Sequence, residues 1–256
     1  MRGRIGTTMV ALVISLGPAG SSVAAAQDVP SSSAPPAPSP AIRALSAIAS
    51  DFRNVAAVDN ALIAGVGAAL ALAMHPEDND ITRRAQANEP LEEAFDGGSV
   101  LGDGWVQVGA AMGTYAIGRF TSNLRAQAVG AELCRAQLLN GVMTSALKAS
   151  FSRTRPDGSQ HSFPSGHASA AFASATILQR EFGWKIGAPL YAAASYVAAS
   201  RLSENKHYAS DVIFGSAVGI IAGRSVSIGS GANRFAVVPV PLHGGAAVTF
   251  TRVTTP

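Results

Sequence analysis

The sequence predicts an all-α protein, a bundle of about six core helices. Three observations carry that expectation. Apolar residues come in long runs closed by Pro, Gly or polar turns, not in the strict alternation of half-buried strands. The chain is 48% hydrophobic but only 6% aromatic, so Ala and Gly must do much of the filling, as in closely packed helices. Gly215, Gly219 and Gly223 recur every fourth residue and make one flat ridge for packing.

Each element follows from its own stretch. Residues 41–49 have helical periodicity. Residues 55–74 are a small-residue apolar run with Asp59 and Asn60 early in it, and His75-Pro76 closes it. Residues 77–80 are a polar connection, and 81–95 read as an exposed helix or loop. Residues 102–120 predict a second core helix, with Gly109 and Gly113 on one face for close backbone approach. Residues 121–150 predict a third, whose last turn projects Lys148. Residues 153–163 are a loop rich in Pro, Gly and Ser. Ser165 suits the N-cap of a fourth helix running to Arg180. Gly183-Trp184 marks a turn, and 186–200 predict a fifth helix with Pro189 in its tolerant first turn. Residues 208–224 are the sixth. In the tail, 235–240 and 246–253 flank Gly244-Gly245 as a short β-hairpin or an irregular segment.

The ends of the chain differ from its middle. Residues 1–26 read as a secretory signal: Arg2 and Arg4, an apolar run, then Ala24-Ala25-Ala26 as a small-residue cleavage site. Residues 27–40 hold five prolines and four serines and read as an extended linker. The folded domain is expected over 41–228, with 229–256 as a tail or hairpin. Export to a periplasm or cell envelope follows from the signal. The fifth and sixth helical runs are short for a membrane span, so a soluble or surface-bound domain is favoured, with an integral membrane protein as the alternative. The net charge is +3, and losing Arg2 and Arg4 with the signal leaves +1, so neither charge nor any basic run points to nucleic acid. Cys134 is the only cysteine, which excludes an intrachain disulfide and reads as an inert packed thiol. No His/Cys cluster has metal-ligand spacing, Asp78 and Asp80 lack the rest of a calcium loop, and no metal or cofactor is expected.

Chemistry concentrates between Lys148 and Asp211, in three blocks. The first runs from Lys148 to Arg155-Pro156, the second is Pro164-Ser165-Gly166-His167, and the third is Ser200-Arg201, then His207, then Asp211. Lys148, Arg155 and Arg201 supply fixed positive charge, and arginine's planar fork suits phosphate oxygens. Ser165 offers a hydroxyl and Gly166 a backbone N–H at a helix N-terminus, where anions are favoured. His207 and Asp211 stand four apart on one helix face, so the carboxylate can orient an imidazole for attack on phosphorus. His167, beside the anion-binding turn, is placed to protonate a leaving oxygen. Arg153 and Lys206 lie beside these residues and at most tune the mouth of the site. His75, His161 and His243 fall in loops or turns, and none has a partner at metal-ligand spacing.

At these residues the chain resembles the type 2 phosphatidic acid phosphatase superfamily, whose pattern is K-x6-RP, PSGH and SR-x5-H-x3-D. Every fixed position is present, over 64 residues. The resemblance implies a helical bundle with its site at one end, a phosphohistidine at His207, His167 as the acid, and no metal. It implies a phosphatase for phosphomonoesters, lipid phosphates or pyrophosphates among them. It leaves two alternatives: a vanadium-dependent haloperoxidase, which uses the same pocket for vanadate, and a non-catalytic phosphate- or lipid-binding protein. Substrate identity and oligomeric state are not legible.

Overall fold

The computed structural model describes residues 39–87, 93, 95, 97–228, 234–242 and 245–253. The signal segment and most of the linker lie outside the described residues. Two units are separate: Ser39–Ile228, and the C-terminal hairpin.

In the first unit the helices are α1 (Pro40–Asn54), α2 (Val58–Met74), α3 (Asp78–Gln86), α4 (Gly98–Gly102), α5 (Gly104–Phe120), α6 (Leu124–Ser150), α7 (Gly166–Phe182), α8 (Trp184–Ser203) and α9 (Ala209–Ser225). A single 3-10 turn, His75–Glu77, joins α2 to α3. The all-α expectation holds for this unit. In the second unit β1 (Arg234–Leu242) pairs antiparallel with β2 (Gly245–Val253), Leu242 opposite Gly245.

The bundle is built on the seam between α7 and α9. Gly215, Gly219 and Gly223 bring α9 against the backbone of α7. A Cβ at Gly215 would stand 2.6 Å from the Ser165 carbonyl oxygen, and one at Gly223 2.8 Å from that of Ala173. Gly219 meets Ser169 in the same way. Small residues on both helices therefore set their separation and register, as ridges fit grooves. Ile177, Val226 and Ala136 form one core cluster with Leu133 and Val129 from α6, and Cys134 packs partly buried against it. Leu139, Ala173 and Ala222 form another. On the other side of α9, Gly67 of α2 admits Ala217.

Two sequence expectations need correction. Gly109 and Gly113 meet nothing: a Cβ at either would find open space. The close approach of α5 to α6 occurs instead at Gly118 against Gln127 and at Gly130 against Tyr115. Pro189 is not in the first turn of its helix, because α8 starts at Trp184 and Pro189 lies inside it. Trp184 opens that helix directly after Gly183, whose φ of +78° ends α7 as only glycine does without strain.

Candidate active site

The candidate site lies where the C-terminal ends of α6 and α8 meet the N-terminal ends of α7 and α9. Lys148 is in the last turn of α6, Ser165 caps α7, Arg201 is in the last turn of α8, and Asp211 is in the first turn of α9. The loop 151–165 crosses this end. Phe163 fixes it, stacking on Phe214 of α9 at 5.0 Å and meeting Phe151 edge-on at 5.2 Å. The Ser165 N–H donates to the Asp211 carbonyl at 3.0 Å, so the second and third motifs are bonded to one another directly.

The eight sequence-predicted residues converge. Ser165 is fully buried, and its Oγ accepts from the Ala168 N–H at 3.5 Å, a long cap bond. Gly166 opens α7, and space remains beside it: the nearest side-chain atoms, on Thr144 and Lys148, stand 3.8 and 4.0 Å from a Cβ position. Lys148 Nζ donates to the His161 carbonyl at 2.5 Å. Arg155 acts electrostatically on Lys148, His167, Arg201 and His207, which places its charge near all four. Arg201 is buried and donates to Glu204 at 2.7 Å. Among the described residues, the Nε atoms of Arg155 and Arg201 are buried without a partner. Donors left unpaired in a cationic pocket are what an oxyanion ligand satisfies.

His207 is only 2% exposed, and its Nδ1 lies 3.8 Å from Asp211 Oδ2. That is longer than a hydrogen bond, but it turns Nδ1 towards the carboxylate and leaves Nε2 for the substrate. Burial pushes the His207 imidazole below its ordinary value, against the upward pull of Asp211. The ring is therefore neutral, with a free lone pair, at neutral pH. His167, in the first turn of α7, is also held well below its ordinary value, first by burial and then by Arg201. It needs a bound dianion nearby before it carries a proton at neutral pH. Gly102 of α4 backs this ring, with a Cβ position 3.0 Å from that of His167.

Sequence reasoning missed what holds Asp211. Its Oδ1 accepts from Arg153 Nη1 at 2.6 Å, and its Oδ2 accepts from Ser162 Oγ and from the Tyr208 N–H at 3.0 Å. Arg153 also donates to Asp78 Oδ2 at 2.7 Å. Thus Arg153 is no mouth residue, and His75 joins the same cluster: its Nδ1 lies 3.1 Å from Asp78 and 3.3 Å from Arg153. Nothing local in the sequence ties 78 to 153 and 211. Lys206 does stay at the rim, paired with Asp157 at 3.0 Å, and hydrogen bonds from Ser159 first, then from this lysine, lower the pKa of the Asp157 carboxyl. Among the described residues no group of His, Cys, Asp and Glu is arranged to hold a metal ion.

Residues 130–234 match the PAP2 superfamily model. Over that stretch the chain is similar to the PAP2 superfamily. The match contains every candidate site residue of the three motifs. A curated relative, the lipid A 1-phosphatase of Porphyromonas gingivalis (strain ATCC 33277), is 47% identical over 91 residues. That stretch is 33% of this chain and 20% of the relative, so the chain matches about a fifth of that protein's length. Among solved structures, a transmembrane PAP2-type phosphatidylglycerolphosphate phosphatase from Bacillus subtilis aligns with TM-score 0.52 and 22% identity. It covers 66% of this chain and 92% of that one. This is a likeness of fold. LpxE of Aquifex aeolicus aligns with TM-score 0.46 and 24% identity, over 57% of this chain and 92% of that one.

Proposed function

We propose that this chain is a PAP2-type, membrane-embedded phosphatase that removes phosphate from lipid phosphomonoesters or pyrophosphates through a phosphohistidine on His207, without a metal. One observation carries the reading: a buried histidine backed by a carboxylate lies beside three cations and a helix N-terminus. In the first step the His207 Nε2 lone pair attacks phosphorus while the P–O bond to the leaving group breaks. His167, charged once the dianion is bound, gives its proton to the departing oxygen. In the second step water attacks phosphorus, its proton passes to His167, and the P–N bond breaks to release inorganic phosphate. Lys148, Arg155 and Arg201, with Ser165 and the Gly166 N–H, balance charge on the three equatorial oxygens.

The exterior of the bundle supports the lipid setting. On α2, Val58, Leu62, Val66 and Leu70 form an outward stripe, 55–76% exposed. The two polar residues near its start do not break that face. Asn60 is buried and donates to Asn54 and Ser225, and Asp59 pairs with Arg224 at the helix end. Val58–Gln86 is long and apolar enough to cross a membrane, among the described residues. On α5, Trp105 (85% exposed), Met112, Ile117 and Phe120 (90%) face outward with no charge between Asp103 and Arg119. Two outer helices with apolar outward faces fit hydrocarbon rather than water, which favours the embedded alternative over a soluble domain. The apolar groove between α2 and α9, about 480 Å³ and lined by Leu62, Val66, Leu70, Ile213, Ala217 and Ile220, opens on the same side. The site residues lie beyond these apolar stretches, at the polar ends of their helices. The curated relative's name, lipid A 1-phosphatase, supports a lipid phosphate as substrate.

The test is phosphate release by the full chain in detergent micelles from lipid phosphates and from p-nitrophenyl phosphate, with and without chelator. Release that survives chelator and vanishes in His207→Ala is expected. Loss in chelator, restored by a divalent ion, defeats the metal-free mechanism; absence of release from every monoester and pyrophosphate defeats the enzyme reading. The chain should stay with the membrane after alkaline washing, and release into the supernatant would defeat the embedding.

A further inference from the structure

Arg153 occupies an unusual position for a cation two residues from a candidate phosphate ligand. Both terminal nitrogens of its guanidinium are committed to carboxylates: Nη1 to Asp211 and to Ser210 Oγ at 2.7 Å, Nη2 to Asp78. Its Cζ lies 4.2 Å from the centre of the Tyr208 ring, which covers it on that side. Arg153 therefore has no free fork for a substrate, unlike Arg155, whose Nε lacks a partner. Asp78 is equally committed. It is 2% exposed, its Oδ1 accepts the Ser210 backbone N–H at 2.9 Å, and its Oδ2 accepts Ser210 Oγ. The N-cap residue of α9, Tyr208, provides no side-chain cap bond of the usual kind, so Asp78 caps α9 from another helix.

We propose that Asp78 and Arg153 are positioning residues: the pair clamps the first turn of α9 to α3 and holds Asp211, and through it His207, in the attacking geometry. The inference rests on His207 being the nucleophile. Asp211 is fully buried, and among the described residues Arg153 is the Lys or Arg ion-paired with it. A buried carboxylate keeps its orientation only while its charge and lone pairs are matched. Asp78 fixes Arg153 from behind, so the geometry at His207 is set from a helix that carries no residue of the three motifs. The 3.8 Å between His207 and Asp211 is long, and Asp211 can close on the imidazolium-like phosphohistidine only from the position Arg153 gives it.

The test compares wild type, Asp78→Asn, Arg153→Lys, the double variant and His207→Ala, each as the full chain in detergent. Four quantities are read: kcat, KM, inhibition by vanadate against inhibition by inorganic phosphate, and the thermal unfolding midpoint. A misplacement on the order of 1 Å at reacting groups costs about 10²-fold, so each single variant should lose about that factor in kcat with KM little changed. Vanadate, which mimics the five-coordinate phosphorus, should weaken in step with kcat/KM, whereas phosphate should not. The double variant should lose little more than either single one, because both break one clamp. Wild-type kcat in folded Asp78→Asn and Arg153→Lys, with His207→Ala inactive, overturns this inference alone. A rise confined to KM makes Arg153 a substrate ligand and also overturns it, as do multiplicative losses in the double variant. If Arg153→Lys does not fold, Asp78→Asn decides; if neither folds, the clamp is structural only and the positioning role is wrong. Turnover in His207→Ala overturns the proposed function and this inference with it.

Discussion

Gly215→Ala should damage the site by moving a seam. The added Cβ would stand 2.6 Å from the Ser165 carbonyl oxygen and 3.1 Å from the Ser165 nitrogen. Ordinary contact begins at 3.4 Å, so the shortfall is about 0.8 Å. The obstacle is backbone and cannot rotate aside. Either α9 or the turn entering α7 must shift by a distance of that order. The seam carries the two halves of the candidate chemistry: Ser165, Gly166 and His167 on one side, His207 and Asp211 on the other. Overpacking of this kind costs about 1–3 kcal/mol, and a displacement near 1 Å between reacting groups about 10²-fold in rate. The expected result is a folded protein with a lowered unfolding midpoint and kcat/KM reduced by about 10² on p-nitrophenyl phosphate. Gly109→Ala is the matched control. Its Cβ meets nothing within 4 Å, and replacing a mid-helix glycine should stabilise by roughly 0.5–1 kcal/mol with activity intact. A Gly215→Ala protein with the wild-type rate and midpoint would refute the claim that the α7–α9 seam sets the site.

Two further outcomes are expected. Because burial lowers the His207 pKa, protonation should not remove the nucleophile until the pH falls below its ordinary 6.5; an acid limb of kcat/KM at or above 6.5, corrected for substrate ionisation, would contradict the assignment. His167→Ala should lose most of the ~10²–10⁴-fold of general acid catalysis on an alkyl phosphate and much less on p-nitrophenyl phosphate, whose phenolate leaves unaided. Single-turnover phosphorylation rates measure this, and equal losses on both substrates would make His167 a phosphate ligand rather than an acid.

Helix existence was legible because it rests on local pattern. Pro76, Ser165 and Gly183 punctuate the chain where α2, α7 and α8 end or begin. Which glycines make contact was only half legible. Of the two glycine sets read as packing faces, 109 and 113 and then 215, 219 and 223, only the second meets a neighbour. Spacing puts residues on one face, but it does not say which way the face points. The exterior was illegible for a related reason. Asp59 and Asn60 count against a membrane span in a hydropathy reading, yet one lies at the helix end with Arg224 and the other points inward to Ser225. Apolar side chains 58, 62, 66 and 70 then face outward uninterrupted.

The site divides along the same line. Residues proposed to meet the phosphate or attack it sit in short motifs with fixed internal spacing, since a turn and helix ends present them, and all eight are brought together at one end of the bundle. Residues that orient those groups need only be near in space. Asp78 precedes Arg153 by 75 residues and Asp211 by 133, and it lies in a polar connection that looks like any exposed junction. Its burial at 2% is what separates it from Asp80, two residues on, which pairs at the surface with Arg83. A buried carboxylate must be matched or it destabilises the fold, so Asp78 and Asp211 together require a cation between them, and Arg153 is that cation. The presence of that group, bonded to both carboxylates and shielded by Tyr208, is the reason the proposed nucleophile's support extends beyond the segment that the three motifs mark out.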